Sequence, residues 1–402
     1  MFEWGEFSEK GLLSIANSNA RINIWEGAVR SSKTICSLVR WISFVASAPP
    51  GDLLMFGKTE RTLKRNILNP LKDMLGKQFD FKLGQGEAWM FGRKILIVGA
   101  NDERAESKIR GGTLAGAYGD ELSLTPESFI KMLFSRLSVP GAKLFGTTNP
   151  DSPYHYIKTE IIDNPNIDKA VFHFVLEDNP NLSQVFIDAL KKEYIGLWYK
   201  RFILGLWVMA EGAIYDMWDD KTHLITAPTD IDDYLKIWVS VDYGTSNPCT
   251  FGIYGKHKDG NRYKLAEYWF DSKERGYQKT DSDYGEDFEE FVEPFNSRLK
   301  EVYVDPSALS FKTELERRGF DVQDAINDVL DGIRIVSTEL GQGRYFVDPS
   351  CTNTAKEYVS YAWDSKAQKR GEDKPLKQND HAMDCDRYAL ASELLIPDFY
   401  IK

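Results

Sequence analysis

The chain has 402 residues, 42% of them hydrophobic and 13% aromatic, so it is neither disordered nor fibrous and has length for two or three cored domains. Its formal net charge of −11 excludes a generic polycation for nucleic acid. Residues 1–230 carry 28 acidic and 27 basic side chains, so nearly all of the excess charge lies in residues 231–402. Phosphate contact must then come from local patches or be bridged by metal ions. The longest uncharged apolar stretch, Trp41 to Gly51, is broken by Pro49, Pro50 and Gly51, so no membrane span is expected. The N-terminus carries Glu3, Glu6 and Glu9 and no signal-peptide core, which argues against secretion. Cys36, Cys249, Cys351 and Cys385 are scattered without metal-ligand spacing, which suits a reducing compartment.

In chain order, Arg21–Trp25 reads as a strand, Lys33–Ala48 as a helix, Leu53–Phe56 as a strand, Arg61–Leu75 as a helix and Lys94–Val98 as a strand. Leu114–Gly119 and Lys143–Thr147 read as further strands. This alternation predicts an α/β domain over 1–175 with a mostly parallel sheet flanked by helices. Residues 183–205 are helical, aromatic and locally basic, and 176–230 reads as a lid or linker ending near Pro228. A second pattern follows over 231–402. Ile237–Asp242, Thr250–Tyr254 and Tyr263–Phe270 read as three strands, Asp281–Phe295 as a helix, Glu301–Asp305 as a strand, and Asp380–Leu395 as a last helix.

The loop Gly27-Ala28-Val29-Arg30-Ser31-Ser32-Lys33-Thr34 follows a strand and opens a helix, the setting of a phosphate-binding loop. Its backbone N–H groups would wrap phosphates, Lys33 would reach the β/γ-phosphates of ATP, and Thr34 would bind Mg²⁺. Ser32 stands where the pattern has its second glycine. The alternative is a polar turn before a helix. Asp120 and Glu121 end a strand of small residues; Asp120 would hold the Mg²⁺ through water and Glu121 would polarise the attacking water. Thr147, Thr148 and Asn149 lie at the C-terminal end of another strand, the position that in NTPase motors senses the γ-phosphate. Arg110 reads either as an arginine finger for a neighbouring subunit or as an ordinary surface ion pair. Arg30 is a second candidate for charge stabilisation.

Three carboxylates form the other constellation. Asp242 and Asp305 end strands, and Asp384 lies on the last helix, with His381, Asp384 and Arg387/Tyr388 spaced to share one face. Asp386 points elsewhere, and Asp380 or Asn379 is the expected N-cap. Buried carboxylates need a partner or a cation. Carboxylates from two strands and a helix would suit Mg²⁺ or Mn²⁺, with two ions activating water and stabilising a leaving oxygen at a phosphodiester. The tetrapeptide Val-Asp-Pro-Ser occurs at 304–307 and again at 347–350, so Asp348 is the alternative to Asp305. Lys366–Arg370 is either a DNA-contacting cluster or a solvated hairpin tip.

In this order the motifs resemble the large terminase subunit of tailed bacteriophages and prophages, over nearly the whole chain. The resemblance implies an N-terminal P-loop ATPase of the packaging-motor class and a C-terminal RNase H-like nuclease that cuts concatemeric double-stranded DNA. It implies a homo-oligomeric ring, generally a pentamer, on the portal protein of the procapsid, with DNA delivered by a small terminase subunit. The isolated chain is compatible with a monomer. It places the protein in the host cytoplasm and transiently at the portal, not in the mature virion. Carried over by position, Lys33, Thr34 and Asp120 serve ATP and Mg²⁺, Glu121 is the base, Thr147, Thr148 and Asn149 form the coupling motif, and Asp242, Asp305 and Asp384 hold the nuclease metals beside His381. The competing readings are a non-viral ATP-driven helicase-nuclease and an ATP-gated assembly scaffold with an inert nuclease half.

Overall fold

The computed structural model describes residues 4–245 and 247–396. The backbone forms two compact units, Met1–Met209 with Lys369–Glu372, and Ala210–Gln368 with Asp373–Lys402. The 176–230 segment, read above as one lid or linker, is therefore divided: 176–209 packs with the first unit and 210–230 with the second.

The first unit is built on strands β1 (Ile22–Gly27), β2 (Asp52–Gly57), β3 (Phe79–Lys82), β4 (Glu87–Met90), β5 (Arg93–Gly99), β6 (Leu114–Gly119), β7 (Lys143–Thr148) and β8 (Lys169–Phe174). They form one sheet in the order β3-β4-β5-β2-β6-β7-β1-β8. Six neighbours from β5 to β8 run parallel, and β3 and β4 add an antiparallel edge. Both faces are covered, so central strands read as unbroken apolar runs. Alternation still sorts them. Trp25 faces a core with Trp41, Phe44 and Phe145, whereas Ile22 and Ile24 face one with Phe56, Phe129 and Leu133. The small residues of β6 are a packing requirement. A Cβ at Gly116 would meet the Phe44 ring at 2.4 Å, and one at Gly119 would meet Phe56 at 2.4 Å. The parallel strands end together at one edge, and there Gly27, Gly119 and Thr148 lead into the loops that carry the phosphate-loop residues.

The second unit holds β9 (Tyr234–Asp242), β10 (Cys249–His257), β11 (Arg262–Phe270), β12 (Leu299–Val304), β13 (Val322–Asp324) and β14 (Tyr345–Val347), in the order β13-β12-β9-β10-β11-β14. β9, β10 and β11 are antiparallel, while β12 runs parallel to β9. Side-chain parity decides the faces. Ile237, Val239 and Val241 of β9 and Val302 and Val304 of β12 pack with Tyr284 and Phe288 of the helix Asp281–Val292. Trp238 and Ser240 of β9 meet the helix His381–Leu395 instead: Trp238 Nε1 donates to the Ala389 carbonyl at 3.2 Å, and the Ser240 carbonyl accepts from Cys385 Sγ at 3.2 Å.

That last helix is buried almost all round from Ala382 to Ser392. Asp386 occupies its inward face and accepts four hydrogen bonds. Tyr254 (2.7 Å) and Lys264 Nζ (2.7 Å) reach Oδ1, and Tyr345 (2.8 Å) and Tyr358 (2.6 Å) reach Oδ2. Lys264 and Asp386 have no solvent exposure at all. Breaking a buried, fully bonded pair strands a charge. Lys264→Met is expected to cost about 3–5 kcal/mol, read as a lowered denaturant midpoint for the second unit; an unchanged midpoint would contradict the pair's role.

Candidate nucleotide and metal-dependent sites

The loop after β1 wraps tightly because its backbone takes left-handed conformations. Gly27 has φ +128°, and a Cβ there would fall 1.9 Å from the Phe174 carbonyl oxygen. Ser32 takes φ 67° and ψ 1°, the left-handed geometry that the expected glycine would supply. The serine thus keeps the loop's path at the cost of strain. Ser32→Gly is expected to raise stability by about 0.5–1 kcal/mol, a higher melting temperature with the nucleotide site intact; a lower one would mean the Ser32 side chain is itself needed.

Lys33 is buried at the start of the helix Lys33–Ser47 and donates to the Ala28 carbonyl (2.8 Å) and Asn149 Oδ1 (2.7 Å). Burial lowers its pKa from 10.5 to about 8, against the opposing charges of Glu121, Asp120 and Glu26. Ser31 is buried and donates to the Ala28 carbonyl at 2.8 Å, Thr34 is half-buried, and Arg30 is exposed with φ 56°. Asp120 accepts from Thr147 (3.1 Å) and from Asn66 Nδ2 (3.1 Å). Burial raises its pKa despite those bonds. Burial and then the Asp120 charge raise that of Glu121, which suits a proton acceptor. Glu121 itself has φ 53°, and its N–H donates to Thr147 Oγ1 at 3.3 Å, while the Ser123 N–H donates to Thr148 Oγ1 at 3.2 Å. The loop, the acidic pair and the Thr147–Asn149 segment therefore meet. Arg110 does not join them: it forms an i,i+4 ion pair with Glu106 at 2.6 Å, with its side chain 68% exposed.

Several residues of this site carry no motif signal. Glu26, buried just before the loop, accepts from Trp207 Nε1 at 3.0 Å and lies 2.9 Å from His173 Nδ1. Arg201, also buried, donates to the Val208 carbonyl (2.6 Å) and pairs with Asp151 at 3.2 Å, two residues beyond Asn149. These contacts tie segment 201–208 to both ends of the nucleotide site. An acidic residue immediately before the loop and the Gly205-Leu206-Trp207 run were the available hints.

In the second unit, Val241 of β9 pairs with Val304 of β12, so the residues that follow, Asp242 and Asp305, leave adjacent parallel strands at the same end. By the parity above both point to the helix His381–Leu395. His381 Nδ1 lies 3.0 Å from Asp242 Oδ2, and Tyr388 donates to Asp305 Oδ2 at 2.6 Å. Asp384 bonds Arg387 from its own helix. Burial, and then the charge of Asp384, the bond to Asp305 and the charge of Asp242, push the Tyr388 hydroxyl up. Asp348 lies elsewhere. It follows edge strand β14, three strands from β9, and accepts from the Ala227 N–H at 2.9 Å.

Burial raises the Asp242 pKa from 3.8 to about 6, with Asp384 and Asp380 adding to it and His381 opposing. Burial lowers that of His381, but the bond to Asp242 and the nearby acids outweigh it and the net shift is upward. Asp305 is lowered, burial being outweighed by its bonds from Ser307 and Tyr388. Three hard oxygen donors around an excess of buried negative charge are the chemistry a divalent cation needs. The cage is not closed, however. Among the described residues no group of three or more His, Cys, Asp or Glu stands ready to hold an ion; Asp242 is bonded to His381, Asp305 to Tyr388 and Asp384 to Arg387. The helix cap also differs from expectation. Asp380 occupies the N-cap position without a side-chain cap, and Glu357 Oε2 instead accepts from the Ala382 N–H at 2.6 Å. Glu357 is pushed to about 7, chiefly by burial.

Residues 26–219 match the family described as terminase large subunit, T4likevirus-type, N-terminal. The large terminase of the thermophilic bacteriophage D6E in complex with ADP is 39% identical, over 96% of this chain and 100% of that one, with a TM-score of 0.88. The same D6E protein in complex with ATP-gamma-S matches at 39% identity over 97% and 100%, with a TM-score of 0.86. No curated protein matches. The chain belongs to the bacteriophage large terminase family of DNA-packaging motor proteins. That membership sets aside a non-viral helicase-nuclease.

Proposed function

We propose that the chain hydrolyses ATP at the Lys33 loop to drive double-stranded DNA into a procapsid, and cuts that DNA at the Asp242–Asp305–Asp384 site. The observation that carries this reading is the pair of sites on one chain. One is a buried lysine facing two acids whose carboxyls are raised, and the other is a register-matched pair of strand-end carboxylates beneath a helix. The D6E complexes with ADP and ATP-gamma-S support nucleotide binding.

At the first site, Lys33 and the loop N–H groups would hold the phosphates, and Thr34 and Asp120 would serve Mg²⁺. Glu121, its carboxyl raised by burial, would take up the proton of the attacking water. Phosphate arrival would draw Lys33 away from Asn149. Asn149 adjoins Asp151, which pairs with Arg201, so the exchange would reach segment 201–208 and the chain leading into the second unit. Arg30 and Arg110 are the candidate cations for charge stabilisation, Arg110 across a subunit boundary.

At the second site, divalent ions would activate water and stabilise the leaving oxygen. Asp242, Asp305 and Asp384 would hold them, and His381 would orient Asp242 or move a proton. Grip on DNA would rest on phosphates, because packaging cannot depend on sequence. The partners would be a small terminase subunit and the portal protein, the working form a ring of five copies, and the place the host cytoplasm. The test is direct. The purified chain should release phosphate from ATP with Mg²⁺ and nick plasmid DNA with Mn²⁺; absence of either activity removes that half of the proposal.

A further inference from the structure

The segment before the helix His381–Leu395 sets a cation against the carboxylate site. Lys377 Nζ lies 3.2 Å from Asp380 Oδ2 and 3.5 Å from Asp384 Oδ2. Its side chain is 69% exposed, while those of Asp380 and Asp384 are only 8% and 12% exposed. The ammonium therefore caps two sheltered acids from the solvent side. Asp384 has a second cation of a different kind. Arg387 is 1% exposed, bonds Oδ1 from inside, and runs its stem against Gly332, where a Cβ would come within 3.1 Å. One oxygen of Asp384 thus faces a fixed, cradled guanidinium, and the other a lysine free to swing into water. An exposed lysine pair contributes only about 0–1 kcal/mol. A divalent ion on the same oxygens interacts far more strongly, so the lysine is the partner that yields.

We propose that Lys377 is an exchangeable counter-ion of this site: it neutralises Asp380 and Asp384 in the metal-free chain, leaves them when a divalent ion binds, and then contacts a phosphate of the DNA backbone. The inference rests on the nuclease reading above. The released ammonium stands on the open side of the site, where a duplex would approach. A phosphodiester is the anion then within its reach, and such a contact carries no sequence preference.

The test uses the full chain and two readouts other than cleavage. Mn²⁺ binding is measured by calorimetry without DNA, and duplex binding by fluorescence anisotropy over a salt series in Ca²⁺. Lys377→Ala is expected to bind Mn²⁺ about 3–10-fold more tightly, in line with loss of a competing pair worth about 1 kcal/mol. It should bind the duplex more weakly, with the salt slope reduced by about one. Lys377→Arg should resemble the wild type in both. Unchanged or weaker Mn²⁺ binding by Lys377→Ala overturns the counter-ion role, and an unchanged salt slope overturns the phosphate contact. Asp242→Asn separates the two levels: if the wild type binds Mn²⁺ and this variant does not, a null result at Lys377 sinks the lysine's role alone. No Mn²⁺ binding by the wild type sinks the nuclease reading and this inference together.

Discussion

Asp242→Asn is expected to abolish Mn²⁺-dependent plasmid cleavage, by on the order of 10³-fold, and at the same time to make the metal-free protein more stable. The second half follows from linkage. Burial pushes the Asp242 carboxyl from 3.8 to about 6. The folded chain therefore keeps a proton there across a window in which the unfolded chain has lost it. Stability falls as pH rises through roughly 4 to 6 and stays lower above. A shift of that size corresponds to at most about 3 kcal/mol. Asparagine keeps the shape and removes the charge, so the variant should melt at a higher temperature near neutral pH and lose that pH dependence. Calorimetric melts at several pH values check this. A variant that still cuts, or one that is less stable than the wild type, would remove Asp242 from the centre of the site.

Lys33→Ala and Glu121→Gln should stop ATP turnover in different ways. Lys33 is already paired inside the protein, to Asn149 and the Ala28 carbonyl, so its ammonium is held in place rather than mobile at the surface, as the proposed phosphate ligand should be. Its removal should abolish both nucleotide binding and hydrolysis. Glu121→Gln should bind nucleotide as before and hydrolyse it about 10²–10⁴-fold more slowly, the usual loss when a general base is disabled. Fluorescent-nucleotide titration and steady-state phosphate release separate the two. The lowered value of about 8 for Lys33 adds a pH signature. In the free chain the ammonium deprotonates above that pH, so nucleotide affinity should weaken there. Hydrolysis that survives in Glu121→Gln would move the base elsewhere.

The elements that position the sites were readable because their apolar runs are long and their neighbours are turns. β1, β2, β5, β6 and β7 fall within two residues of expectation, as do β11 and the last helix of the second unit, while β9 starts three residues earlier and β10 ends three residues later than expected. What escaped was short or polar. β3 and β4 have four residues each at the antiparallel margin of the sheet, β8 alternates around Lys169 and His173, and β13 and β14 have three residues each. The helix Val329–Gly341 had a readable start in Asp328, whose side chain caps the Asp331 N–H, but no motif drew attention to it. The carboxylates could be named from their places at strand ends. Their partners could not. Tyr388 on Asp305 and Glu357 on the helix N-terminus are brought together by tertiary packing, across separations that local periodicity does not encode, and Lys377 reaches Asp384 from the irregular segment just before the helix.

The register of β12 against β9 limits where this protein can vary in length. Deleting one residue between Val302 and Asp305 would turn the Asp305 carboxyl toward Phe288 and Phe311, into hydrocarbon. Upstream the constraint lapses. The pairing already skips a position between Leu299 and Glu301, where Lys300 bulges out without disturbing Val302 or Val304. Insertions and deletions among phage relatives should therefore collect at Lys300, and a tag or sensor loop grafted there would leave Asp305 in step with Asp242.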